Sequence, residues 1–350
     1  MSMRSSGSLL SGIQQVGIGV KDADSAFAWY IKYFGMDVPV FKDASVAELM
    51  LKYTGGKSQE RYAILALNMQ GGGGFEIWQY TGRTPQPAAF EVTPGDLGIF
   101  GVMMKCRDVE VAHNQALSGG LKPSELFKAP DGTLRYHVED PYGNRFTFCD
   151  GVSWFGPGKH SNGGVCGVQI GVSNMEKSIA FYSQVLGLDK VVYDAKGVSE
   201  EFGGKSGRRV LLRPSADFGG AFSNLLGTPQ VELFELEEGS GKKIYENRFW
   251  GDLGYIHICC DVNDMQALEK RCADFGSAFT VNSGNSFDMG EAAGQFAYNE
   301  DPDGTLIEFV QTHKLPILKK IGWYLDLRKR DHTKPLPNWM LASMKFSRVK

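Results

Sequence analysis

The sequence predicts an α+β protein built from four copies of one small unit, each a strand, a helix and about three further strands. Three internal alignments predict it. GIQQVGIGVKDADSAFAWYIKYFGMDV (12–38) aligns with GVCGVQIGVSNMEKSIAFYSQVLGLDKV (164–191). IFGVMMKCRDVEVAHNQALSGGLKP (99–123) aligns with YIHICCDVNDMQALEKRCADFGSAF (255–279), and DPYGNRFTF (140–148) with DPDGTLIEF (301–309). The offset between halves is steady at 152 to 161 residues, as duplication of a long–short pair of units requires.

Each unit opens on a short alternating strand, followed by an Asp or Ser/Asn helix start, one amphipathic helix and a glycine stop. Units two and four close on the DP-x-G hairpin and its outgoing strand. Units one and three close instead on GGGFEIWQY (72–80) and TPQVELFEL (228–236). GGGG (71–74) lacks a strand before and a helix after, so it reads as a turn rather than a nucleotide loop. One unit has a single small sheet and one helix, so two must combine to enclose a core or cavity. The expected organisation is a flexible segment 1–12, a first two-unit domain 13–150, a second 164–311, and a tail 312–350.

The bulk numbers are those of an ordinary globular chain: 350 residues, 42% apolar, 22% charged, net charge −3. They suggest neither nucleic acid nor an anionic membrane as partner. No run approaches the ~20 apolar residues of a membrane span. The start, MSMRSSGSLLSG, has no signal-peptide core. Six scattered cysteines include no C-x-x-C pair, so no disulfide framework or thiolate zinc site is indicated and the cytoplasm is the expected location. Residues 312–350 hold ten Lys/Arg against two Asp, a balance of +8 that leaves −11 for the rest. A basic arm packed on an acidic body is the expected reading, a partner- or membrane-surface segment the other.

The unit order, the helix starts VKDADSAFAWY and VSNMEKSIAFY, and DP-x-G before an outgoing strand resemble the vicinal oxygen chelate superfamily (the glyoxalase/bleomycin resistance/dioxygenase fold) over about 13–311. The resemblance implies βαβββ modules paired into two cup-shaped mixed sheets, with a metal on the inner face of a cup. It also implies ligands on the first and last strand of each module. Those positions hold Gln15 and Glu76, Gly101 and Thr147, Gly167 and Glu232, and His257 and Glu308. Gln, Glu and His are competent donors for a divalent cation, while glycine has no side chain. By strand alternation His257 shares a face with Tyr255 and Cys259, and Glu308 with Leu306 and Val310.

Two pairings are open. If neighbouring modules pair, each cup lacks at least one donor. If one pairs with four and two with three, one cup holds Gln15, Glu76, His257 and Glu308, and the other only Glu232. The crossed pairing is expected, because this ligand set is that of eukaryotic-type glyoxalase I and single-chain four-module relatives pair that way. It would explain why Glu308, a carboxylate in an apolar strand, tolerates burial: a cation accompanies it.

The resemblance implies one divalent ion, zinc first, with Ni, Co, Mn or Fe(II) as alternatives. It implies glyoxalase I-like lyase or isomerase chemistry on a 2-hydroxycarbonyl or hemithioacetal substrate. Glu308 would be the primary base and Glu76 its partner, moving a proton between adjacent carbons through an enediolate. An epimerase with the same ligands and a non-catalytic small-molecule binder are the alternatives. An extradiol dioxygenase is disfavoured by Gly167 at a required histidine position. The polar contacts expected for glutathione fall on Gly19, Tyr80 and Leu253, so another substrate or thiol is indicated. Arg208, Arg209 and Arg213 could contact anions, with surface placement expected. Trp78, Tyr80, Tyr255 and Phe309 are expected around a hydrophobic pocket. Four modules in one chain permit a monomer.

Overall fold

In the computed structural model, residues 8–158, 160–284, 287–288, 293–318 and 323–349 are described. Module one comprises β1 (Leu10–Gly19), α1 (Ala23–Phe34), β2 (Val38–Ala47), β3 (Gln59–Leu67) and β4 (Gly74–Tyr80). Module two comprises β5 (Gly98–Cys106), α2 (Val109–Ser118), β6 (Phe127–Lys128), β7 (Leu134–Glu139) and β8 (Arg145–Asp150). Module three has β9 (Asn162–Gly171), α3 (Met175–Gln184), β10 (Lys190–Ser199), β11 (Lys205–Arg213), a short α4 (Ser223–Leu226) and β12 (Gln230–Leu236). Module four has β13 (Gly254–Val262), α5 (Met265–Phe275), β14 (Val281–Asn282), β15 (Phe287–Asp288), β16 (Ala293–Glu300) and β17 (Leu306–Thr312). The tail adds β18 (Lys314–Leu318), β19 (Trp323–Asp326) and α6 (Asn338–Ala342). Of the segment 1–12, residues 1–7 lie outside those described, and 10–12 already belong to β1.

The four long helices begin the same way for the same reason. Asp22, Asp108, Asn174 and Asp264 sit in extended backbone, and each side chain accepts from the amide three residues on. Such a cap is worth ~1 kcal/mol. The DP-x-G aspartates have a second use. Asp140 accepts from Tyr30 Oη of α1 at 2.6 Å, and Asp301 from Tyr182 Oη of α3 at 2.9 Å. Each turn is thus tied to the helix of the module before it in sequence.

The sheets pair differently. One runs β14-β16-β17-β13-β1-β4-β3-β2, with β15 on β16, and so joins module four to module one. The other runs β10-β11-β12-β9-β5-β8-β7-β6, joining module three to module two. The pairing is the crossed one. At each seam two first strands meet antiparallel, β1 on β13 and β5 on β9, flanked by parallel last strands. Parallel neighbours need a crossover, which the module helices supply. One apolar core, including Tyr30, Phe34, Phe75, Phe146, Phe181 and Ile258, runs beneath both sheets on the helix side. The glycine run stitches them together. Gly72 and Gly73 donate to the carbonyls of Leu225 and Val165 at 2.8 Å, and a Cβ on Gly72 would lie 2.7 Å from the Gly164 backbone.

The tail does not behave as a basic arm. Leu327, Leu336 and Leu341 are buried against Val38, Leu67, Met69 and Leu225. Among the described residues one ion pair joins it to the body, Arg348–Asp37 at 2.8 Å. Apolar burial holds it in place together with backbone hydrogen bonds, Leu336 N–H to the Ala221 carbonyl and Val349 N–H to the Asp37 carbonyl, both at 2.9 Å. No helix among the described residues is long and apolar enough to cross a membrane.

Candidate metal centre

The four predicted donors lie on four adjacent strands at the middle of the nine-stranded sheet, in the order β17, β13, β1, β4. Gly17 is opposite His257 on one side and Glu76 on the other, and Glu308 is beside Cys259. This register carries the donors to one place on the concave face. Glu76, His257 and Glu308 bring ligand atoms within 4.8 Å of one another. His257 Nε2 is 3.0 Å from Glu308 and 3.4 Å from Glu76. Gln15 points its amide nitrogen at Glu308, 3.4 Å away. All four are buried, His257 completely.

Gly17 makes this possible. A Cβ there would lie 2.6 Å from the His257 ring, so only glycine leaves the imidazole its position.

Strict alternation fails at one point on β13. The ladder passes from Gly17–His257 to Ile18–Tyr255, leaving Ile256 unpaired as a bulge. Tyr255 therefore turns into the core beneath the sheet, and its hydroxyl donates to the Arg145 carbonyl at 2.5 Å. Ile256 instead joins Trp78, Trp250, Tyr298 and Leu306 on the concave side. Phe309 also packs in the core, and Tyr80 donates to the Trp250 carbonyl, so of the four aromatics expected around the pocket only Trp78 lines it. Trp250 and Tyr298 take the other places. Trp250 lies parallel to the His257 ring at 6.3 Å, and Tyr298 meets it edge-on at 5.6 Å. Tyr298 was readable, since it sits in the strand paired with Glu308; Trp250, in a loop, gave no signal.

The site sets acid against base in the interior. Burial disfavours a charged imidazole, yet the carboxylates of Glu308 and Glu76 outweigh it and push His257 up to about 9. Burial likewise acts to raise Glu308, but the His257 charge holds its carboxyl below the usual range. Gln15 Oε1 and His257 Nδ1 have no hydrogen-bond partner. An orphaned amide oxygen beside two carboxylates and an imidazole is a donor set that fits a divalent ion of the zinc type.

Sequence comparison gives the lineage. The profile of the Glyoxalase/Bleomycin resistance protein/Dioxygenase superfamily matches residues 12–148 and 166–309. The chain belongs to this superfamily. Glyoxalase I from Zea mays is similar in fold, with a TM-score of 0.55 at 16% identity over 86% of this chain and 92% of that one. A candidate dioxygenase from Bacillus subtilis subsp. subtilis str. 168 has a TM-score of 0.61 at 11% identity over 98% of both chains. At these identities the likeness is one of fold. A search among curated proteins finds no match.

The second superfamily cup is not blank. Glu232, at the position equivalent to Glu76, accepts from Arg135 at 3.0 Å, Arg209 at 2.6 Å, Gln169 at 2.7 Å, and Tyr193. Arg209 is thus buried, not on the surface; Arg208 pairs with Asp194 and Glu176, and Arg213 donates to Gln230. The glycine logic is inverted here. Gln169 replaces Gly17, and Gly101 replaces His257, with a Cβ on Gly101 falling 2.6 Å from Gln169 Oε1. Arg135 stands where the first cup has Phe296, and Arg209 where it has Ala63. Guanidinium groups supply the positive charge that the first cup lacks.

Proposed function

We propose that the first cup is a divalent-metal site and that the chain is a lyase or isomerase. It would move a proton between adjacent carbons of a 2-hydroxycarbonyl or hemithioacetal substrate. The observation that carries this is the convergence of Glu76, His257 and Glu308 within 4.8 Å, beside Gln15, where Gln15, Glu76 and Glu308 line a cavity. A divalent ion bound there would supply Lewis acidity to the substrate's paired oxygens. The protein's part is the proton. Glu308 takes it from the carbon bearing the hydroxyl, that bond's electron pair enters the carbon–carbon bond, and the carbonyl π pair moves to oxygen. The former carbonyl oxygen takes up the proton that the hydroxyl oxygen gives up, the hydroxyl oxygen becomes the new carbonyl, and return of the carbon-derived proton to the neighbouring carbon completes the isomerisation with no oxidant or reductant. Contacts from Gln15 and His257 hold Glu308 in place; Glu76 is its partner across the site. Trp250 and Tyr298 shield the imidazole from water. Six free cysteines suit a cytoplasmic setting.

The test is exchange of the substrate C–H proton in deuterium oxide, followed by NMR on the zinc-loaded protein. Glu308→Gln, which keeps an oxygen donor, is expected to slow exchange ~10²–10⁴-fold with metal content retained. Exchange at the wild-type rate in that variant would move the base to Glu76. No exchange by wild type on hemithioacetals or 2-hydroxycarbonyls would leave a binding protein.

Gly17→Ala checks the cup from beneath. Its methyl displaces the His257 ring, and zinc affinity by competitive chelation is expected to fall at least ~10-fold, as for other ligand-orienting changes. Unchanged affinity would show that His257 is not a ligand.

A further inference from the structure

A cavity of about 960 Å³ opens over Gln15, Glu76 and Glu308, with His257 buried behind them. That is the upper end of the ~300–1,000 Å³ range of pockets for drug-sized molecules. Its walls come from the sheet, from Leu49 and Met50 in the turn after β2, from Trp250, from the α4 region and from the C-terminal segment. The sheet gives Leu65, Leu67, Trp78, Phe296 and Val310; the α4 region gives Phe222, Leu225 and Leu226. The C-terminal segment gives Leu336, Trp339, Met340, Leu341, Met344 and Phe346. Five of the exposed large apolar side chains lie on this same lining: Val40 at 38%, Val46 at 45%, Leu49 at 48%, Trp339 at 68% and Phe346 at 93%. They form an apolar mouth to an apolar cavity.

Charge is scarce in the lining. Beyond Glu76 and Glu308 it includes Glu48 and, among the described residues, one cation, Arg61. That guanidinium is already engaged, 2.7 Å from the Asp43 carboxylate and over the Trp78 ring. Among the described lining residues a ligand carboxylate finds no free cationic side chain and would be desolvated against leucine and methionine, which is unfavourable. The three positions where a charged tripeptide could be gripped are closed. A Cβ on Gly19 would lie 2.0 Å from the Asp252 carbonyl, Tyr80 is bonded to Trp250, and the Leu253 amide donates to Gln86.

We propose that the substrate of this site is a large, uncharged, mostly apolar molecule with two adjacent oxygens at one end. The oxygens reach the Gln15/Glu76/His257/Glu308 floor, and the body lies between the sheet and the C-terminal segment. This rests on the proton-transfer reading for the role of the oxygens, while the size and polarity of the ligand rest on the cavity alone. The C-terminal segment is then a specificity element: Met340, Met344 and Phe346 touch the part of the ligand farthest from the donors. Flexible methionine side chains suit an apolar ligand of irregular shape.

Benzoin, a neutral diphenyl 2-hydroxyketone, is the probe, and S-hexylglutathione the charged comparator. Both are titrated into the zinc-loaded full chain, with quenching of Trp78, Trp250 and Trp339 fluorescence as the binding readout. Benzoin is expected to bind at least ~10-fold more tightly than S-hexylglutathione, and Met344→Glu and Phe346→Glu to weaken it ~10-fold or more, since each places an unpaired charge on the apolar wall. Circular dichroism verifies that both variants are folded. Tighter binding of S-hexylglutathione, or benzoin affinity unmoved by both substitutions, overturns the proposal. Deuterium exchange at the benzoin carbinol carbon separates the two readings. Binding without exchange sinks the isomerase but keeps the apolar ligand. Exchange confined to a glutathione hemithioacetal keeps the isomerase and sinks the apolar ligand.

Discussion

Glu232→Ala is expected to cost ~3–5 kcal/mol of folding stability, the range for removing one partner of a buried ion pair. The carboxylate is wholly buried and is shared by Arg135 and Arg209, which are themselves 2% and 5% exposed. Deleting it leaves two guanidinium groups in the interior with Glu201 as their remaining carboxylate. Urea unfolding at neutral pH reads the loss directly. A loss under ~1 kcal/mol would show that water or Glu201 compensates and that the cluster is not a keystone of the second cup. Replacing the whole cluster by apolar residues of similar volume is a different experiment, and such swaps are often neutral or stabilising.

The same carboxylate sets an acid limit. Burial acts to raise Glu232, but Arg209 and Arg135 overcome it and hold the group at about 2 against an ordinary 4.5. Its folded-state value is depressed, so its contribution is complete above pH 4.5 and is lost as the pH falls towards 2. The wild-type protein is therefore expected to weaken across that window by more than Glu232→Ala does.

Much of this was legible. The helix caps, the DP-x-G turns and the duplication are local patterns, and the candidate donor positions come from the resemblance to the superfamily. The crossed pairing was reachable because only it gathers four donors in one cup. What sequence could not give depends on distant partners. Arg135 and Arg209 stand on alternating strands where a basic residue ordinarily faces water; their acceptor comes from a third strand. The bulge at Ile256 leaves no mark in YIHICC, yet it reverses Tyr255 and Ile256. The tail's Leu336 and Leu341 are separated by Pro337 and show no helical or strand period, so its apolar docking was hidden behind its charge.

The two cups also show how one scaffold yields two outcomes. Where Gly17 yields to His257, the floor is left short of positive charge and open to a cavity. Where Gly101 yields to Gln169, arginines fill the space and the cup becomes a structural cluster.

Metal content by mass spectrometry is the decisive measurement for the first cup. Wild type is measured beside Gln15→Ala, Glu76→Ala, His257→Ala and Glu308→Ala, each refolded or purified with zinc. Arg208→Ala, on the exposed face of the other sheet, is the control. One divalent ion per chain is expected in wild type and in the control. Loss is expected in the four variants, beyond the ~10–100-fold drop in affinity seen for outer-shell changes. Zinc retained equally by His257→Ala and Glu308→Ala, or no stoichiometric metal in wild type, would contradict metal binding at this cup.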